Sequence, residues 1–130
     1  MEYGIVLDVY EGSYELDEAE FTKGGVIGVI IRINDIIDKM RLDTNFIKQW
    51  NESLAFNPVP YFVYDTRVTG RQNFEFLFAN MPKRCPAIFI DTEVNKGNLT
   101  PVEFGYQYNL FIKLCKKFWK VIIYTGASFL

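Results

Sequence analysis

Five short runs of almost unbroken apolar residues alternate along this chain with four stretches of helical periodicity, and that order constrains the fold more than any other feature. The runs read GIVLDVY (residues 4–10), VIGVIIRI (26–33), VPYFVYDT (59–66), AIFIDTEV (87–94) and KVIIYTG (120–126). Near-continuous hydrophobicity is the pattern of parallel strands covered on both faces. Residues 15–25 read as a helix ending on a glycine pair, a helix stop. Residues 43–58 offer Asp43 or Thr44 as a cap, place Phe46, Ile47, Trp50 and Leu54 on one face, and meet Pro58 just past the end. Residues 70–82 carry Phe74, Leu77 and Phe78 at i, i+3 and i+4. Residues 99–118 open with Thr100, Pro101, Val102 and Glu103, a capping box with proline at the first helical position.

A βαβαβαβαβ order means an α/β domain with right-handed crossovers. Two architectures fit. One is a doubly wound, five-stranded open parallel sheet, complete at 130 residues. The other is a (β/α) barrel of TIM type, truncated after about five strands. The pattern alone slightly favours the open sheet. At 49% apolar the chain can bury a real core, so residues 1–130 read as a single domain.

The absence of histidine excludes Ser-His and Cys-His nucleophile systems and His-ligated zinc. Acid–base chemistry near neutral pH then falls to carboxylates, Tyr, Lys or Cys. Cys85 and Cys115 have no metal-type spacing and read as free buried thiols. With a formal charge of −2, nothing points to nucleic acid, which needs clustered Lys and Arg. The one basic group, Lys113, Lys116, Lys117 and Lys120, surrounds a helix end and reads as a solvated face. VIGVII is far shorter than the roughly 18 residues of a membrane span. The start lacks the basic-then-apolar layout of a secretory signal, so no export signal is expected. GGVIG (24–28) precedes a strand and lacks Lys-Ser/Thr, which makes it a turn, not a phosphate loop. VTGRQN (68–73) reads as a loop and helix cap.

In either architecture the functional edge lies at the C-terminal ends of the strands. Those ends present Asp8, Tyr10 and Glu11; Arg32 and Asn34; Tyr64, Asp65 and Arg67; Asp91, Glu93 and Asn95; and Tyr124, Thr125 and Ser128. Strand side chains alternate, so Asp91 and Glu93 share a face, with Cα atoms roughly 6–7 Å apart. At that spacing the more buried carboxyl holds its proton to higher pH. A protonated acid beside an ionised carboxylate is what cleavage of a glycosidic bond requires. Asp8 is a second acidic interruption of an apolar strand at the same end of the sheet, and a buried lone carboxylate needs a partner, a metal or a task. Two other readings stand beside this one. One carboxylate caps the next helix or pairs with Arg32 while the other is solvated, or the cluster holds Mg²⁺ or Ca²⁺ through oxygen ligands.

These same segments resemble, in order, the N-terminal portion of a glycoside hydrolase family 25 lysozyme (muramidase). YGIVLDVYEG is similar to the family's opening strand. FTKGGVIGVIIRI, DTNFIKQWNESL and PYFVYD follow, then AIFIDTEVN with its Asp-x-Glu, and VIIYTGASFL. The resemblance implies the barrel rather than the open sheet. It also implies hydrolysis of the β-1,4 bond between N-acetylmuramic acid and N-acetylglucosamine in peptidoglycan, with no cofactor. Glu93 would be the general acid, Asp91 would assist by positioning the substrate's N-acetyl group or stabilising the positive intermediate, and Asp8 would be a further active-site acid. Tyr64, Tyr124, Arg32 and Asn95 would contact the glycan. The implied setting is that of a phage-type lysin or a secreted, wall-acting enzyme. The alternative is a non-catalytic lysozyme-like structural or wall-binding module. A barrel stopping after strand five exposes a parallel edge, so the chain is expected to self-associate, to be marginally stable, or to be completed by another chain or segment.

Overall fold

The structure, a computed structural model, describes residues 5–10 and 17–125. Gly4, Glu11, residues 15 and 16 of the expected first helix, Gly126 and Ser128 lie outside them. The chain runs β1 (Ile5–Val9), α1 (Glu18–Lys23), β2 (Val26–Arg32), β3 (Asn34–Asp35), β4 (Arg41–Leu42), α2 (Phe46–Glu52), a 3₁₀ turn (Leu54–Phe56), β5 (Pro58–Val63), α3 (Gly70–Asn80), β6 (Ala87–Asp91), α4 (Pro101–Lys116) and β7 (Lys120–Tyr124). All five apolar runs are strands, and all four periodic stretches contain a helix.

The five long strands form one parallel sheet in the order β1-β2-β5-β6-β7. Each strand pairs with the next long strand of the sequence, so the order never reverses. A doubly wound sheet reverses at a switch point, whereas a barrel wall proceeds in one direction. Parallel crossovers are right-handed as a rule, so steps all taken in one direction put the helices on one face. The expectation of cover on both faces is therefore corrected: the second face carries no helix among the described residues.

Strand alternation assigns each side chain to a face. Val29, Ile31 and Ile33, then Phe62 and Tyr64, then Ile88 and Ile90 are buried beneath the helices. They pack with Phe46 of α2, Phe56, Leu77 of α3, and Phe111, Ile112 and Cys115 of α4. Each such side chain stabilises the fold by about 1.5–3 kcal/mol. The alternate residues, among them Ile30, Tyr61, Phe89 and Asp91, face the open side.

Local chemistry sets the helix ends. Thr100 and Glu103 form a reciprocal capping box at α4, as expected, and Thr69 with Gln72 forms a second at α3. Gly24 caps α1 and Gly25 follows at φ +77°, the left-handed region. At α2 the expectation changes. Its N-cap is Asn45, without a side-chain cap bond; Asp43, two residues earlier, accepts the Asn45 N–H with one oxygen and pairs with Arg32 through the other, each at 3.0 Å. The buried face of α2 is Phe46 and Gln49, with Trp50 beside them, while Ile47 is 65% exposed. Gln49 is drawn in by donating to the Tyr10 carbonyl at 2.8 Å.

Candidate active site

The C-terminal rim of the sheet is held by polar side chains that follow the strands. Asn34 bonds both the N–H and the C=O of Val63, at 2.8 and 3.0 Å, and so joins the end of β2 to β5. Asp65 takes Arg67 in a two-oxygen ion pair and receives Arg67 N–H at 2.9 Å. Arg67 also donates to the carbonyls of Ile36 and Asp38, and Lys96 to those of Ile36 and Ile37. The loops after β2, β5 and β6 are thereby tied together.

Beyond the last residue of β6 the backbone stays clamped. Tyr64 N–H donates to the Asp91 carbonyl at 3.0 Å, and Thr92 N–H to the Tyr124 carbonyl at 2.9 Å. The Thr125 hydroxyl donates to the Thr92 carbonyl, and the buried Thr92 hydroxyl meets the Tyr108 hydroxyl, each at 2.7 Å. With Thr92 fixed on the helix side, Asp91 and Glu93 stand together on the open side.

There they line a concavity of about 250 Å³ with Asp8, Ile30, Tyr61, Phe89 and Tyr124. Asp8 comes from β1, Ile30 from β2, Tyr61 from β5 and Phe89 from β6, so the cleft spans the sheet. The carboxyls of Asp91 and Glu93 are close enough to interact, and Asp91 is the more buried of the two. Burial, above all, and then the adjacent Glu93 and Asp8 push the Asp91 carboxyl up to about 7. One of its oxygens, Oδ1, is buried with no hydrogen-bond partner among the described residues. Such an orphan oxygen is rare in folded proteins and marks a place where a proton or ligand belongs.

Tyr61 lies between the acids. Its hydroxyl faces Asp8, and burial together with the charge of Asp8 raises its pKa well above the ordinary phenol value. It therefore stays a neutral donor. Among the described residues no group of three His, Cys, Asp or Glu is arranged to hold a metal ion.

The expected residues separate into those in the cleft and those outside it. Asp8, Asp91, Glu93 and Tyr124 converge on one concavity. Tyr64 does not: it is buried on the helix side, edge-on to Phe104 and Tyr108 at 6.2 and 5.0 Å. Residues 64 and 61 differ by an odd number, so only Tyr61 can share the face of Asp91. Arg32 stands beside the cleft, paired with Asp43 and 5.2 Å from the Tyr10 ring centre. It is Asp43, not either carboxylate of the β6 pair, that takes Arg32. Asn95 closes its own loop, exchanging hydrogen bonds with the backbone of Leu99 at 3.0 Å. Tyr61 and Phe89 were not singled out from the sequence; for Phe89 its parity with Asp91 along one strand was the available signal, whereas the face of Tyr61 follows from the register Tyr61↔Phe89 between strands. Cys85 and Cys115 are free, and burial lifts the Cys115 thiol to about 12, which leaves it inert.

Fold and site together define an α/β protein with a one-sided parallel sheet and an acidic, aromatic-walled cleft at its C-terminal rim. This chain is similar in structure to a family 25 glycosyl hydrolase from Bacillus anthracis, with a TM-score of 0.75 at 20% sequence identity. The match covers 91% of this chain and 58% of that chain. Such a likeness establishes the fold. No protein-family model matches the sequence, and no curated protein matches it.

Proposed function

We propose that the cleft hydrolyses glycosidic bonds by carboxylate chemistry, and that its substrate is the β-1,4 bond between N-acetylmuramic acid and N-acetylglucosamine of peptidoglycan. The observation that carries this reading is the Asp91–Glu93 pair, which holds a proton near neutral pH inside a concavity walled by Tyr61, Phe89 and Tyr124. The fold likeness to a glycosyl hydrolase supports it.

The pair works as a unit. Its proton rests on the more buried Asp91 and reaches the leaving sugar oxygen through Glu93, the solvent-facing member. The ionised partner then faces the positive charge that develops at the anomeric carbon. A neighbouring N-acetyl group of the substrate, oriented by Asp91, fills the nucleophile's role in this scheme. Asp8, facing Tyr61, places a further carboxyl on the far side of the cleft. The place of action is the bacterial cell wall.

Clearance of purified walls tests the reading. The wild-type chain is expected to clear them, and Glu93→Gln to lose about 100-fold or more of that rate, as removal of a general acid does. A folded wild-type chain that binds walls without clearing them is a wall-binding module instead.

A further inference from the structure

The opposite end of the sheet carries a second surface. α3 and α4 finish there, and their following loops feed the N-terminal ends of β6 and β7. The two loops meet where Lys120 N–H donates to the Pro86 carbonyl at 2.9 Å. Four aromatic rings gather on this base. Phe78 and Phe118 stand 52% and 54% exposed with ring centres 5.1 Å apart, braced from below by Phe74 and Trp119. Around them lie Lys83, Arg84, Lys113, Lys116, Lys117 and Lys120, all exposed. They are six of the chain's 14 cations, on a molecule whose net charge is −2. Among the described residues no carboxylate pairs with any of them.

We propose that this base docks on an anionic lipid bilayer surface. Exposed phenylalanines offer no polar atom to a sugar or to a soluble polyanion, but they suit the boundary between headgroups and acyl chains. Flexible lysines reach lipid phosphates while their stems lie along the apolar patch. Charge complementarity selects the anionic leaflet, each cation near it strengthening binding about fivefold. No helix of the described residues is long and apolar enough to cross a membrane, so the contact is peripheral. In this pose the acidic cleft, at the other end of the strands, faces away from the lipid. The inference stands on the base alone and does not depend on the cleft's chemistry.

Sedimentation with vesicles of phosphatidylcholine, with and without phosphatidylglycerol, tests it. Wild-type chain is expected to partition onto the phosphatidylglycerol vesicles and to come off as salt is raised. The double variant Lys116→Glu/Lys117→Glu is expected to bind at least about tenfold more weakly with its melting temperature kept. Phe118→Ser is expected to weaken binding as well. Equal partition onto both vesicle types, or full binding by the lysine variant, overturns the proposal. Full vesicle binding by Phe118→Ser also overturns it, because the base is then a general polyanion patch. If that variant fails to fold, the lysine pair decides.

Discussion

Asp91 concentrates the chemistry of the cleft into one titration. The chain has no histidine, so the window between pH 5 and 8 that histidine ordinarily fills is left to this carboxyl. Its proton is held at about 7 in the fold against 3.8 ordinarily, so the folded state binds that proton more tightly than the unfolded chain. The resulting stabilisation is whole below about pH 4 and is lost as pH climbs through 7. Solvent screening at this half-open site limits the effect to about 1–2 kcal/mol. Thermal melts should show stability falling from pH 5 to 8, and Asp91→Asn should flatten that slope and raise stability at pH 8. A wild-type profile already flat across the window would overturn the assignment. Tyr61→Phe makes a second test. It removes the hydroxyl that faces Asp8 while keeping the ring, so wall clearance should fall about tenfold or more with less than about 1 kcal/mol lost from stability. The same-face pairing of Asp91 and Glu93 was legible from strand parity, and the placing of Asp8 at the same rim from the shared C-terminal end of the strands. The exchange of Tyr64 for Tyr61 was not, because the face a tyrosine takes depends on the register Tyr61↔Phe89 between strands, which the order of residues along one strand does not state.

Helices and strands were legible where one physical signal dominated. Continuous apolar runs gave all five long strands, and capping chemistry placed the starts of α3 and α4. The β3–β4 hairpin was invisible, since Asn34–Asp35 and Arg41–Leu42 are too short for periodicity. It is held by contacts that close only in three dimensions, such as the Asp35–Arg41 ion pair and Asn34 on the β5 backbone. α2 misled for a related reason: a polar residue, Gln49, takes an inward position through a bond to a distant carbonyl. The contact between α3 and α4 was likewise unreadable, and it rests on a glycine. Gly70 N–H bonds the Gln107 side chain at 2.8 Å, and a Cβ at residue 70 would overlap the Gln107 backbone carbonyl. Gly70→Ala should therefore destabilise by about 2–4 kcal/mol as the two helices are forced apart. Gly105, inside α4, meets nothing where a Cβ would stand. Gly105→Ala should stabilise by about 0.5–1 kcal/mol through helix propensity. Denaturant unfolding of the two variants checks both signs, and similar midpoints for the pair would contradict the packing argument.

For the molecule as a whole, composition left a doubly wound sheet and a barrel wall both open, because each uses the same strands and helices. The unreversed order β1-β2-β5-β6-β7 separates them, and that order is a property of pairing rather than of any segment. It has a consequence at the edges. Among the described residues β1 and β7 each pair on one side only. On β7, Ile123 and Tyr124 are 51% and 58% exposed. An unpaired parallel edge with exposed apolar side chains is a template for another chain. The chain should therefore associate as its concentration rises, with a melting temperature that rises in step because assembly stabilises the folded state by mass action. Ile123 lies on the helix side, in register with Ile90, so a charge there spares the cleft. Ile123→Lys should shift sedimentation velocity profiles toward the monomer, as lysine on natural edge strands prevents pairing. A wild-type chain that sediments as a monomer at every concentration, with a melting temperature independent of dilution, would mean that β7 is covered within its own chain and that the edge is no interface.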